Sequence, residues 1–330
     1  MKLWTYGEVR KKLERDFDLE DETFISSDEL AGYCNEGIES AEAEILKLNE
    51  DYFLKSKAID LTLGQTTLLL PDDIYAQKIR SLIYNNGGDL IYEVRRIRDP
   101  HRFAILADAQ VWATADWYNY IVQNQTVGTQ NTLLLVPASR ITATGILTLW
   151  YIRHAQRIPL LGEYFLSQDF LPAAVDISAN TISIPANGYV TGDKIKLSGT
   201  GTAPGGLAFD AVYYAISVDV DTIKLATSLS NARANVAIDI TTIGTGAFTA
   251  KVATTEANRD TVILDIPEFT SYILQFMKVR CYEKEPDPRY DGAAKALDGF
   301  LAQMVNTLTE QVPDNDNKVP MDMGLYEDMS

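Results

Sequence analysis

Thr191-Gly192-Asp193-Lys194-Ile195-Lys196-Leu197-Ser198-Gly199 lies inside a Gly- and Thr-rich stretch, residues 176–252, whose reading decides the fold. Short β-rich runs recur there at 181–184, 194–197, 212–218, 222–225 and 247–252. Gly, Pro, Asn and Asp separate them at the intervals of a small sandwich or barrel. On either side the chain reads as helices with short strands. A self-contained β module disturbs a host core little, because each doubling of a surface loop costs only about 0.6 kcal/mol. The expectation is therefore an α+β protein: a helical-bundle body with a small antiparallel β layer, plus an inserted all-β domain. Its bounds read as 1–170 for the first part of the body, 171–256 for the insert, 257–312 for the closing helices and 313–330 for an extended tail. Such an insertion suggests a structural or binding protein more readily than an enzyme.

Outward from the insert, the first helix opens at Thr5, where Thr5 and Glu8 have capping-box spacing, and Val9, Leu13 and Phe17 follow as one apolar stripe. A second helix opens at Ser26 with Glu29 three residues on, and Leu30, Tyr33, Cys34, Ile38, Ala41, Ile45 and Leu48 keep its period. Strands are expected at 67–70, 78–84, 90–94, 133–136 and 146–152, with Asn86-Gly87 turning a hairpin. A third helix is expected from Asp99-Pro100 through Leu106, Trp112, Trp117 and Ile121 to about Asn124. Beyond the insert, helices open at Pro267-Glu268 and Asp287-Pro288, and Pro313 stops the last. The acidic segment 314–330 carries Val319, Met321, Met323, Leu325 and Tyr326 as spaced apolar anchors for a partner.

Composition sets limits on function. A formal charge of −17 over 330 residues opposes non-specific attraction to phosphate and to anionic membranes. An acidic wall can still line a passage through which DNA slides. The start of the chain lacks the apolar core of a signal peptide and no apolar run approaches a membrane span, so the expectation is a soluble protein made in a cytoplasm. Cys34 and Cys281 stand in helical apolar patterns, as buried small side chains do.

Chemistry-bearing patterns are few. His101 and His154 have no ligand partners at metal spacing, and no Gly-x-Ser-x-Gly elbow supports a nucleophilic serine. The glycines of 199–206 lack the Lys-Ser or Lys-Thr of a phosphate loop, so no cofactor is expected. Asp219 and Asp221 suit turn chemistry better than a calcium loop, and helix-face glutamates such as Glu36 and Glu39 suit solubility better than catalysis. Tyr189, Tyr213 and Tyr214 serve packing or, on a second reading, stack on sugars. Arg95, Arg96, Arg98 and Arg102 form the one clear basic cluster, either a solvated helix start or a contact with an acidic neighbour or DNA phosphate.

Three segments carry a family resemblance: Asp28-Glu29-Leu30-Ala31-Gly32-Tyr33-Cys34-Asn35-Glu36-Gly37-Ile38, Gly145-Ile146-Leu147-Thr148-Leu149-Trp150-Tyr151, and Leu264-Asp265-Ile266-Pro267-Glu268-Phe269. With the break at Glu285-Pro286-Asp287-Pro288-Arg289, their order over 1–165 and 258–330 resembles the head-to-tail adaptors, or tail accessory factors, of short-tailed phages. The insert, with 191–195, Tyr213-Tyr214 and Val218-Asp219, is similar to small β modules of phage virion proteins, and adaptors of ordinary length lack it. The resemblance implies a non-enzymatic virion protein at the neck between capsid and tail. It implies a ring, commonly of twelve copies, that binds the portal protein and extends the channel for genomic DNA. Downstream tail or nozzle proteins would dock on that ring, and the C-terminal tail would dock on the portal. Some relatives are credited with degrading peptidoglycan, so a virion-associated muralytic enzyme is the alternative, with a carbohydrate or receptor binder through the insert as a third.

Overall fold

The computed structural model describes residues 2–17, 25–61, 65, 67–86, 91–99, 101, 118–127, 130–136, 145–284 and 287–311. The described residues hold six α-helices and fourteen strands, arranged in two seven-stranded sheets. This overturns the expected helical-bundle body with a small β layer: the chain is mostly β, and the body contains a sheet as large as that of the insert. The physical reason is that strand pairing joins residues far apart in sequence and leaves little local mark. The third helix is corrected in part as well. Residues 118–124, read as its last turns, lie in a strand, and 102–117 lie outside the described residues.

The chain divides into two compact units, residues 1–37 with 157–294, and residues 38–156 with 295–330. Two of the three divisions fall within helices, Ser27–Leu48 and Tyr290–Gln311, and the third falls in the segment after Arg153.

In the second unit the strands are β1 (Leu54–Leu61), β2 (Thr67–Leu69), β3 (Ile74–Asn85), β4 (Ile91–Arg96), β5 (Tyr118–Val127), β6 (Gln130–Val136) and β7 (Gly145–Arg153). Their order across the sheet is β1-β7-β3-β4-β5-β6-β2, antiparallel except for β4 beside β5. Strand β7 shows why it forms. Leu147, Leu149 and Tyr151 are buried on one face while Ile146 and Trp150 are exposed on the other, the period of two that a half-covered strand requires. Leu82, Tyr84, Val94, Tyr118, Tyr120, Leu133 and Leu135 complete that core. Gly145 is required where β7 begins, because a Cβ there would stand 2.4 Å from the Asn85 carbonyl oxygen.

The first unit holds helix α1 (Tyr6–Phe17) and the start of α2 (Ser27–Leu48). Both open with the capping boxes their sequences announce: Glu8 accepts from the Thr5 amide at 3.1 Å, and Glu29 from the Ser26 amide at 2.8 Å. Residues 4–6 pair with 262–264 through a bridge between Thr5 and Ile263.

The second sheet draws every strand from one continuous stretch: β8 (Tyr164–Phe170), β9 (Val175–Asp176), β10 (Thr181–Ser183), β11 (Lys194–Gly199), β12 (Val212–Ser217), β13 (Thr222–Ala226) and β14 (Phe248–Ala253). Their order is β8-β14-β11-β12-β13-β10-β9. Phe170, Ile182, Ile195, Leu197, Tyr213, Ile223, Leu225 and Phe248 fill one core. Short helices α3 (Leu229–Arg233) and α4 (Glu256–Asp260) follow β13 and β14. Two longer ones, α5 (Thr270–Lys284) and α6 (Tyr290–Gln311), complete the described chain.

Candidate functional site

Two places in the second unit concentrate chemistry. The first is the irregular start of β3, where Ala76 and Gln77 both have positive φ, 45° and 56°, and the register with β7 shifts between Ile74 and Ile79. Left-handed non-glycine residues are strained and often mark functional positions. Around this bulge Asp73 accepts from Lys55 Nζ and from the Tyr151 hydroxyl, each at 2.7 Å. Burial alone would raise the Asp73 carboxyl, but the Lys55 ammonium and the Tyr151 hydroxyl outweigh it and hold the group below its ordinary range. Burial, then the bond to Asp73, pushes the Tyr151 phenol up.

The His154 amide donates to the Asp73 carbonyl, its ring meets Tyr75 edge-on at 4.9 Å, and its Nδ1 lies 3.2 Å from the buried Glu42. Glu42 also accepts from the Ala155 amide at 2.8 Å. Glu50 receives Lys78 and Arg80 at 2.7 and 2.6 Å, Lys78 foremost, and its carboxyl is held low. Each of these carboxylates accepts from a cation or a backbone amide. The set therefore fastens the bulge to the turn after α2.

The second place is the outer face of β4, β3, β7 and β1. Cross-strand rows run Ile91, Asn85, Ile146, Asp60; then Glu93, Ile83, Thr148, Ala58; then Ser81, Trp150, Ser56. Ile91 is 68 % exposed and Trp150 38 %. Asp60 and Glu93 are the only charges in these rows. Beside them β1 is an eight-residue edge strand, paired among the described residues on one side only, to β7. Long open edges and exposed apolar side chains on one face mark surfaces that proteins cover with a partner.

The basic cluster resolves differently from its sequence. Arg95 and Arg96 are neighbours on β4 and so project to opposite faces of the sheet. Arg95 lies 3.5 Å from Glu93, while Arg96 and Arg98 are exposed and make no ion pair with a described residue. Arg102 lies outside the described residues, as do Val319, Met321, Met323, Leu325 and Tyr326. In the insert, Tyr189 is buried with its hydroxyl donating to the Ala250 carbonyl, and buried Tyr213 accepts from the Ala208 amide, so neither turns a ring to solvent for a sugar. Cys34 and Cys281 are buried, and burial pushes both thiols up to about 12.

Sequence reading missed the outer face of the β1-to-β4 layer. The alternation of β7 was the available signal, since Ile146 and Trp150 occupy positions that polar side chains take on a solvated face. Among the described residues no His, Cys, Asp and Glu side chains group to hold a metal ion, and no helix is long and apolar enough to cross a membrane. No protein-family model and no curated protein matches the chain.

Proposed function

We propose that this chain is a structural assembly protein, a ring-forming head-to-tail adaptor that joins a portal vertex to a tail and extends the DNA channel. The observation that carries the assembly part is the outer face of β4, β3, β7 and β1: an exposed Ile91, Ile146 and Trp150, few charges (Asp60, Glu93 and Arg95), and an open edge strand. A surface of that composition gains by being covered, at about 25 cal/mol per Å2 of apolar area. The adaptor part rests on the order of the three segments that resemble that family. The carboxylates around the β3 bulge are engaged in ion pairs and caps, which favours this reading over a muralytic enzyme.

The test mixes the purified protein with portal rings and follows complex formation by sedimentation and electron microscopy. A stoichiometric ring is expected, weakened by Trp150→Glu and by deletion of 313–330. Peptidoglycan clearing by the protein, abolished by one Asp or Glu substitution, together with no portal complex, would replace the adaptor with an enzyme.

A further inference from the structure

A second candidate surface, uncovered among the described residues, lies in the first unit on a different element. A groove of about 660 Å3 runs beside α1 and is lined by Lys2, Trp4, Glu8, Lys11, Lys12, Glu14 and Arg15. Lys2 Nζ sits 3.9 Å from the centre of the Trp4 ring and Lys12 Nζ 5.6 Å from it. Lys2 also pairs with Glu8 at 3.1 Å, and Glu14 lies 3.7 Å from Arg10. Lys11, Lys12 and Arg15 make no ion pair with a described residue. Lys11 and Arg15 are four apart and therefore share one face of the helix. In a chain of net charge −17 this is a concentrated cationic and aromatic recess.

The same unit carries a surface of opposite character. The turn between β12 and β13 reads Val218-Asp219-Val220-Asp221, and all four residues are exposed, Val220 at 69 %. It is held rigidly. Asp219 accepts from the Asp221 amide, and Asp221 accepts from the Ala186 amide at 2.7 Å. The buried Asn187 amide group donates to the carbonyls of Ile184 and Val220. Ala186 is kept at a φ of 50° by this bonding. A preorganised tip loses little entropy on docking.

We infer that the β12–β13 tip of one copy docks in the α1 groove of a second copy. Apolar Val218 and Val220 meet Trp4, and Asp219 and Asp221 meet the unpaired Lys11, Lys12 and Arg15. Charge complementarity selects this occupant over nucleic acid: the groove offers a few cations interleaved with Glu8 and Glu14, which suits two spaced carboxylates better than a continuous row of phosphates. Because groove and tip are different surfaces, the contact is head-to-tail, and repetition of it closes a ring or extends a filament. The inference deepens the adaptor reading by naming one of its subunit contacts.

The test uses the full chain and native mass spectrometry over a concentration series. Lys11→Glu with Arg15→Glu is expected to weaken self-association by roughly tenfold or more, and so is Val220→Lys. Mixed together, the two variants have one intact tip and one intact groove between them. The intact tip meets the intact groove and the lysine-bearing tip meets the glutamate-bearing groove in reverse polarity, so the mixture is expected to regain the larger species that neither variant forms alone. Placing all three substitutions in one chain sets Lys against Glu in reverse polarity and is expected to restore larger species. Unchanged association in both variants overturns the inference, as does a wild-type chain that stays monomeric. Loss of retention on single-stranded DNA with unchanged masses makes the groove a nucleic-acid site and also overturns it. Portal binding is scored separately: variants that stop self-associating but still bind portal rings leave the adaptor reading standing.

Discussion

Asp28 and Arg259 show how one residue pair fixes a junction. The Arg259 side chain is 0 % exposed and donates to Asp28 Oδ1 at 2.5 Å and to the Ser27 hydroxyl, while Asp28 also accepts from the Leu161 amide at 3.1 Å. The two partners are not equivalent. Asp28→Ala strands a guanidinium away from water and is expected to cost about 3–5 kcal/mol, whereas Arg259→Met leaves a half-exposed carboxylate that water can reach and should cost about 1–3 kcal/mol. Urea denaturation of both variants checks the order; a larger loss for Arg259→Met contradicts the assignment. Glu29, beside Asp28, is pulled down to about 2, first by Lys284 Nζ at 2.6 Å and then by the Ser26 amide. Its folded value lies below the ordinary glutamate value of 4.5, so its contribution is present above that value and disappears as pH falls towards 2. Glu29 is 42 % exposed, so screening keeps the contribution small. Wild type should exceed Glu29→Gln in thermal stability at neutral pH, with the gap closing between pH 4.5 and about 2; a gap that widens in acid contradicts it. The Ser26–Glu29 box was legible because capping is local, whereas nothing near Arg259 in sequence announces a partner 231 residues away.

Elements differ in the same way. Helix α2 was legible from its apolar period, and β3 and β7 from alternation, because each pattern records burial against a neighbouring layer. Strand β5 was misread. Trp112, Trp117 and Ile121 suggested a helical stripe, yet Tyr118 and Tyr120 are buried two apart and pair with β6 through Tyr120 opposite Leu135. Strand β1 left no mark, since five of its residues in a row are exposed and its place is set by eight register pairs with β7, from Leu54 opposite Ile152 to Leu61 opposite Gly145. The bulge in β3 was invisible for a different reason: Ala76 and Gln77 are not residues that seek positive φ, so nothing in their identity marks it. Ala76 is exposed and has little side chain to lose. Ala76→Gly should therefore raise stability by up to about 1 kcal/mol, the relief of a left-handed alanine less the added chain entropy of glycine. Thermal melts of the two proteins decide it, and a fall in melting temperature would mean the bulge carries no strain there.

The insert's place in the molecule follows from where its ends are fastened. Asn35 of α2 donates to the Ile158 carbonyl at 2.9 Å and accepts from the Ile158 amide at 2.7 Å, both buried, and Asp28 holds Leu161 and Arg259 on either side of the module. Its first and last strands are neighbours as well. Gly162 donates to Thr254 and Thr254 to Glu163, so the chain leaves beside the point where it arrived. Every residue of its core lies between Phe170 and Val252, and all seven strands between Tyr164 and Ala253. A core complete within one segment needs no side chain from the host, and domains of about 60 residues already fold alone. Residues 162–255 expressed by themselves should therefore give a single cooperative melt with dispersed amide resonances. In the full chain, Asn35→Ala should leave that transition in place while speeding proteolysis near 156–162, because two buried backbone groups lose their partner at about 1–3 kcal/mol each. A fragment without near-ultraviolet dichroism would mean that the fastening at Asp28 and Asn35 maintains the module's fold as well as its position. Its tip would then be presented by the molecule as a whole, and loosening Asn35 should abolish self-association together with the module's melt.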